Sequence, residues 1–377
     1  MMATAGLSLL SDAPVLQCPF GQRRRLHGLD GAWGFEESAK PVSWPAFGST
    51  AANLGERIEE MQKKNIALIF GGISSEREVS LNSGKQVYEA LDKEKYTVLT
   101  YDPRSDIPRL VADAERIDCA LIILHGPYGE DGTVQGLLDL LDIPYQGAGV
   151  LGSAVAMNKL LSKQLYEIAG LTVAPYAVVR RGESVDGDTL IDRLGLPLVV
   201  KPVETGSSVG MTIVRRAADL PEAVDKALEF GSTAMLEAYI EGREITCGVL
   251  GNEAVEALPL IEIIPGKDHE FFDYAAKYEA GASQEICPAH LDEKLTRKAQ
   301  SCAITAHKAL HCQGYSRTDM ILRDGEYHVL ETNTIPGMTA TSLFPQSASA
   351  AGMTFGQLLD RLIELGIRAR RRKTTRG

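Results

Sequence analysis

The 377-residue sequence holds no apolar run near the roughly 18 residues that a membrane-spanning helix needs. Its longest candidates, Ile66–Phe70 and Ala120–Leu124, have the length of strands. Basic charge is also short: 39 Lys and Arg stand against 50 Asp and Glu, a formal net charge of −11. Nucleic-acid binding needs a basic face to neutralise phosphates, so neither a nucleic acid nor a membrane is expected as partner. The six cysteines, at 18, 119, 247, 287, 302 and 312, form no C-x-x-C and no Cys/His grouping at zinc spacing. Cys119 and Cys247 lie in apolar runs and read as buried thiols, the usage of a reducing, cytoplasmic compartment. Two nucleotide motifs are missing as well. Gly71-Gly72-Ile73-Ser74-Ser75-Glu76 is not G-x-G-x-x-G, and Gly84-Lys85 runs into Gln86 with no Gly five residues before Gly84. A dinucleotide dehydrogenase and a P-loop ATPase both lose ground.

What is present is an ordinary globular composition, 44% hydrophobic and 24% charged, which excludes disordered, collagen-like and coiled-coil classes. Residues 1–60 are rich in Gly, Ser, Ala and Pro without sustained periodicity, and are expected to be a disordered extension. The run from Met61 into Ile66–Phe70 reads like a natural start. From there strands and helices alternate. Strands are expected at Ile66–Phe70, Thr97–Tyr101 and Cys119–Leu124, with helices over Ser80–Leu91 and Thr133–Leu141. This order predicts a parallel sheet with helices on its faces. One long helix is expected over Gly152–Ala169. Further strands follow at Leu198–Lys201, Met211–Val214, Ala234–Glu237 and Ile245–Leu250, and a helix at Leu220–Phe230. Pro265–His290 has no clean period and reads as a functional loop. A helix over Asp292–Cys312 precedes strands Thr318–Leu322 and Tyr327–Glu331, joined by the hairpin signal Asp324-Gly325. Leu358–Leu365 closes the fold as a helix, and the basic end Arg368–Arg376 is expected to be a solvated tail.

Two elements suggest chemistry. Lys201-Pro-Val-Glu-Thr-Gly206-Ser207-Ser208-Val-Gly210-Met lies between strands, where Gly206 and Gly210 would let backbone N–H groups form an anion nest beside the Lys201 charge. A flexible hairpin loop with a solvated lysine is the plain alternative. Then Arg317-Thr-Asp319 and Glu331-Thr-Asn333 each place two polar side chains on one strand face. Carboxylates and an amide on paired strands suit Mg²⁺, a hard cation that shares oxygen ligands with phosphates; a surface ion pair of Arg317 is the alternative. The register decides. A strict two-residue turn pairs Asp319 with Leu330 and turns Glu331 to the wrong face. A shared metal site therefore predicts an odd-length loop or a bulge in this hairpin.

Taken together, seven motifs carry a resemblance. They are Gly71-Gly72-x-Ser-x-Glu76-Arg-Glu-Val-Ser, His125-Gly-x-x-Gly-Glu-Asp-Gly, Val200-Lys201-Pro, Gly206-Ser-Ser-Val-Gly-Met, Tyr274-x-x-Lys277-Tyr278, Arg317-x-Asp319 and Glu331-Thr-Asn333-x-x-Pro-Gly-Met-Thr. In this order and spacing the chain from Met61 to about Leu365 resembles the bacterial D-alanine–D-alanine ligases, which are ATP-grasp enzymes. The resemblance implies a Rossmann-like N-terminal α/β domain over 61–150, a central ATP-grasp subdomain over 151–240 and a C-terminal catalytic subdomain over 241–367, before the tail 368–377. It implies ATP as co-substrate, Mg²⁺ (two ions, or Mn²⁺ in their place), two D-alanine molecules and a homodimer.

The same resemblance implies roles for residues. Glu76 would take the ammonium of the first D-alanine, and Ser207 and Tyr278 would link Glu76 to a loop over the site. His125 would face the first substrate. Arg317 would stabilise the acyl phosphate and the oxyanion, and Ser342 would bind the second carboxylate. Lys159, Lys201 and Lys277, with Ser207 and Ser208, would hold phosphates. Glu237, Ala238, Tyr239, Ile240 and Glu244 would meet the adenosine, and Asp319, Glu331 and Asn333 the metal. Asn158, Thr205 and Ile335 depart from the commoner family pattern. A relative using D-lactate or D-serine as second substrate, or a nucleotide-binding regulator without turnover, are the competing readings; Tyr278 favours D-alanine over D-lactate.

Overall fold

The computed structural model describes residues 63–184, 186–206, 209–266 and 283–375. The expectation of a disordered segment over 1–60 lies outside these residues, as do the site candidates Ser207, Ser208, Lys277 and Tyr278 and most of the loop from Pro265 to His290.

The N-terminal part alternates β1 (Lys64–Phe70), α1 (Arg77–Ala90), β2 (Tyr96–Tyr101), α2 (Ile107–Ala112), β3 (Cys119–Ile123) and α3 (Thr133–Leu140). Its three strands are parallel in the order β2-β1-β3, with Leu68 opposite both Thr100 and Leu121. All of β3 is buried, as a parallel strand covered on both faces requires. Ile66, Leu68, Leu121 and Ile123 on one face pack with Leu358, Leu359, Leu362 and Ile363 of the C-terminal helix; Ile69, Ile122, Val134 and Leu138 fill the other.

Two helices follow, α4 (Val150–Met157) and α5 (Lys159–Ile168), where the spacing predicts one. Asn158 breaks them apart. Its backbone is extended (φ −87°, ψ 100°), and its side chain accepts a hydrogen bond from the Leu161 N–H at 3.0 Å, so it caps α5. Hydrophobic periodicity runs through such a cap without registering it.

A four-stranded antiparallel sheet comes next: β4 (Tyr176–Arg180), β5 (Leu198–Pro202), β6 (Thr212–Val214) and β7 (Thr233–Ala238) in the order β4-β7-β5-β6, with α6 (Gly187–Leu194) and α7 (Leu220–Glu229). Leu198, Val200 and Leu236 meet Val224 and Ala227 of α7 in its core. Strand β4 and helix α6 escape the sequence reading, although Asp186 caps α6 through the Thr189 N–H at 3.1 Å and Gly195 ends it at φ +77°.

The last sheet is antiparallel: β8 (Arg243–Gly251), β9 (Glu256–Ala257), β10 (Ile261–Pro265), β11 (Ser283–Ile286), β12 (Gly314–Arg323) and β13 (Glu326–Asn333). The order is β11-β10-β8-β12-β13, with β9 on β8. Helix α8 (Glu293–Ala309) lays Ala299, Ala303 and Ala306 against Ile245, Cys247 and Met320. Tyr166 of α5 is buried in this same core and donates its hydroxyl to Thr332 Oγ1 at 2.8 Å, so a helix grouped by sequence with 151–240 packs on the C-terminal sheet. Helices α9 (Leu343–Ala350) and α10 (Phe355–Thr375) close the chain. The expected solvated tail is thus helical through Thr375, and Arg370 pairs with Asp139 at 3.2 Å and with Asp142.

The expected bulge is present. Arg323 pairs with Glu326 across Asp324-Gly325, and pairing is regular to Met320 and Val329; then Leu330 is skipped and Asp319 pairs with Glu331. Glu331 and Asn333 therefore share the face of Asp319 and Arg317.

Candidate active site

A cavity of ≈430 Å³ opens between the two antiparallel sheets. Val199, Ile213, Ile264, Ile321 and the bulge residue Leu330 give it apolar walls suited to a flat ring, and Lys159, Lys201, Glu237, Glu244, Asp319 and Glu331 give it charge. Lys201 is fixed by Glu237, whose Oε2 lies 2.7 Å from its ammonium; the Glu237 Oε1 lies 2.6 Å from the ammonium of Lys163, a residue only 1% exposed. Although burial opposes its charge, the two lysines hold the Glu237 carboxyl down to about 2. Burial and the neighbouring Lys201 push Lys163 down despite Glu237. The Glu237 side chain, expected to meet adenosine, is thus engaged by lysines. Ala238 and Tyr239 donate their N–H groups to the carbonyls of Pro175 and Pro197 at 2.9 and 3.1 Å. Beside them, Arg243 forms a two-pronged bond with Glu262 at 2.7 and 2.6 Å. In the glycine-rich loop Gly210 takes the left-handed φ of +74° expected of a nest, whereas Gly206 does not.

A second cavity of ≈90 Å³ adjoins the first and shares Lys159 and Glu331 with it. Glu76, His125, Glu130, Arg317 and Asn333 also line it. Glu76 immediately precedes α1 in the turn after β1. Its N–H donates to Ser74 Oγ at 3.2 Å, and Ser74 Oγ donates to the His125 carbonyl at 2.7 Å, which ties the ends of β1 and β3 together. Next to it Arg77 donates to the Gly72 carbonyl at 2.7 Å and to Asp102 Oδ2 at 2.6 Å, while Asp102 Oδ1 accepts from the Gly72 N–H at 2.9 Å.

Between the carboxylates of Glu76 and Glu130 lies Gly126. Its N–H donates to Glu130 Oε2 at 2.8 Å, and a Cβ there would come within 2.7 Å of Glu76 Oε2; its φ is +71°. Only glycine fits both constraints. Burial, and then the Glu76 carboxylate, push Glu130 up to about 8. His125 is 6% exposed with no hydrogen-bond partner on Nε2, and burial together with Arg317 pushes its ring down to about 4.

Asp319 collects several donors: Arg317 in a two-pronged pair, the Thr246 hydroxyl at 2.5 Å and the Asn333 amide at 3.1 Å. Glu331 Oε2 stands 3.7 Å from the Lys159 ammonium, which also bonds the Thr205 carbonyl. No group of three or more His, Cys, Asp or Glu able to hold a metal ion occurs among the described residues. Two carboxylates and an amide, all hard oxygen donors, fit a Mg²⁺ that takes its other ligands from phosphate and water. Ser342 does not line the cavity. It stands behind Gly337, where a Cβ would meet its Oγ at 3.1 Å, and that Oγ accepts from the Thr339 N–H at 3.1 Å.

Comparison with known proteins agrees with this architecture. The family described as D-ala D-ala ligase N-terminus matches residues 65–108 and 104–148, and D-ala D-ala ligase C-terminus matches residues 165–364. A D-alanine--D-alanine ligase of Syntrophobacter fumaroxidans is 62% identical over 306 residues, 81% of this chain and 98% of that protein. The chain belongs to the D-alanine–D-alanine ligase family. Among solved structures, the Bacillus anthracis D-alanine--D-alanine ligase complexed with ATP is 37% identical with a TM-score of 0.73, covering 82% of this chain and 99% of that one. A D-Ala:D-Ser ligase from Enterococcus faecalis is 32% identical with a TM-score of 0.70, covering 81% and 99%.

The structure also accounts for the departures from the commoner family pattern. Asn158 caps α5 and donates to Glu204 Oε1 at 2.9 Å. Thr205 Oγ1 donates to the Val209 carbonyl at 3.2 Å, inside the glycine-rich loop. Ile335, 4% exposed, packs into the core beside the parallel sheet. Three residues of the two cavities and their supports had no signal strong enough in the sequence. Lys163 looks like one more helix lysine, Glu262 like one more strand carboxylate, and Glu130 like a polar residue in a glycine-rich turn.

Proposed function

We propose that the protein joins two D-alanine molecules into D-alanyl-D-alanine while converting ATP to ADP and phosphate, the dipeptide used in peptidoglycan precursors. The carrying observation is the junction of the two cavities at Lys159 and Glu331. A nucleotide between the sheets would point its phosphates at the residues that line the smaller cavity.

A carboxylate is a poor electrophile, and phosphorylation turns one of its oxygens into a leaving group. In this reading Glu76 holds the ammonium of the first D-alanine and His125 faces its body. Its carboxylate oxygen attacks the γ-phosphorus, ADP departs, and the amine of the second D-alanine attacks the acyl carbon. The tetrahedral adduct expels phosphate. Arg317 offers a fixed guanidinium to the charge that grows on the acyl phosphate and on the oxyanion. Lys159, Lys201 and Lys277, with Ser207 and Ser208, hold the phosphates; Ile240, Ala238, Tyr239 and Glu244 border the adenosine; Glu237 acts through Lys201. Ser207 and Tyr278 connect Glu76 to the covering loop, and Ser342 reaches the second carboxylate past Gly337. Asp319, Glu331 and Asn333 offer the oxygens for Mg²⁺, two ions or Mn²⁺ in their place, whose chemistry is to neutralise phosphate charge. Catalysis is then chiefly positioning and charge neutralisation. A homodimer and a cytoplasmic location complete the proposal.

The test is phosphate release with ATP, Mg²⁺ and D-alanine, run beside D-serine, D-lactate and L-alanine. D-alanine-dependent turnover is expected; its absence rejects the ligase reading, and faster turnover with D-alanine plus D-serine or D-lactate shifts the second substrate.

A further inference from the structure

In the parallel sheet β2-β1-β3 the chain leaves β1 for β2 on one side and returns to β3 on the other. The carboxyl ends of β1 and β3 thus flank a topological switch point, the place where open α/β sheets tend to bind ligands. A cleft of ≈210 Å³ occupies it, between Gly71-Gly72 after β1, Leu124-His125 after β3, and α3. Its walls are mostly apolar, with Ile73, Ile107, Leu124, Pro127, Val134 and Leu137 among them. Nothing in the proposed reaction uses this cleft.

Among the described residues, His125 is the one that lines both this cleft and the smaller cavity of the candidate active site. The residue is 6% exposed and its Nε2 has no hydrogen-bond partner. No hydrogen bond of that nitrogen ties the ring to the protein, and it stands as a partition between a polar cavity and an apolar one. We propose that the cleft is a latent side-chain pocket for the first amino acid, which the His125 ring closes, so that this ring restricts the first position to a small side chain. The ligand class is a D-amino acid with a branched aliphatic side chain, and the inference rests on assigning the Glu76–His125–Arg317 cavity to the first substrate.

The experiment uses the full chain with ATP, Mg²⁺ and mixtures of D-leucine and D-alanine, identifying the dipeptide and its order by mass spectrometry. His125→Ala is expected to raise kcat/KM for D-leucine relative to D-alanine at the first position at least tenfold over the unaltered protein. A ratio within twofold overturns the proposal. Adding Val134→Phe fills the cleft from its far wall and is expected to return the ratio to its original value; a gain that survives places D-leucine elsewhere and also overturns it. If His125→Ala turns over neither substrate, calorimetry of D-leucine and D-alanine binding to that variant, loaded with a non-hydrolysable ATP analogue, reads the same ratio, and no gained preference counts against the pocket. Turnover of D-alanine by the unaltered protein separates the two readings. Its absence rejects the ligase and this inference together, whereas its presence with an unmoved ratio rejects the pocket alone.

Discussion

Arg317 and Asp319 hold each other on one face of β12, Nε to Oδ1 at 2.8 Å and Nη2 to Oδ2 at 2.7 Å. Both are largely buried, so the guanidinium proposed for the oxyanion and a carboxylate proposed for the cation are oriented by one shared contact. Thr246 and Asn333 also donate to Asp319, so its position does not rest on Arg317 alone.

Arg317→Ala should therefore lower kcat by about 10²–10³ or more, the loss typical of one oxyanion donor, while ATP binding changes little. Single-turnover phosphate release and calorimetric ATP titration check this. Equal loss of ATP affinity would make Arg317 a nucleotide-binding residue. Arg317→Lys keeps the charge but not the planar fork and should restore only part of the rate.

Glu237→Gln leaves Lys163 and Lys201 without their shared charge partner, and breaking such a buried pair costs ~3–5 kcal/mol. The carboxyl is held at about 2 against an ordinary 4.5, so its contribution is complete above the higher value and is lost as pH falls through the lower. Urea unfolding should show a large gap between the two proteins at pH 7 that narrows as pH falls from 4.5 toward 2. A pH-independent gap would contradict this. The affinity for ATP should fall as well, because Lys201 loses its fixed position.

Glu130 behaves in the opposite sense. Its carboxyl is raised to about 8 from 4.5, so it favours the folded state when protonated, and that contribution disappears as pH rises through about 8. Glu130→Gln mimics the protonated form. Its melting temperature relative to the parent should climb between pH 5 and pH 9, and a constant difference would show that Glu130 does not titrate in this window.

Asp102→Ala removes the acceptor of both the Gly72 N–H and Arg77, the brace of the turn that presents Glu76. The Michaelis constant for D-alanine at the first site should rise while that for ATP stays put; steady-state titration of each substrate distinguishes this from a general loss of folding.

The sequence carried the chemistry better than the joints. The bulge at Leu330 followed from asking that Asp319 and Glu331 share a face, and the pairing bears it out. The break at Asn158 did not show, because the apolar spacing of α4 continues into α5 across a single residue of extended backbone. Strand β4, with five residues, and helix α6, with eight, are too short for a period to stand out. Glu130 and Lys163 acquire their surroundings from the three-dimensional fold: one faces β13 from the loop after β3, the other reaches β7 from α5. Linear spacing has no means to report either.

Glu237 fixes the Lys201 ammonium on the wall of the larger cavity and is itself held from behind by Lys163. The phosphates of ATP are the natural counter-charge of Lys201, and only the folded chain fixes it there. Folding and nucleotide binding are then thermodynamically linked: each tenfold rise of ATP above its dissociation constant adds ~1.4 kcal/mol to stability. The cell's ATP level would set how long this protein survives as well as how fast it works.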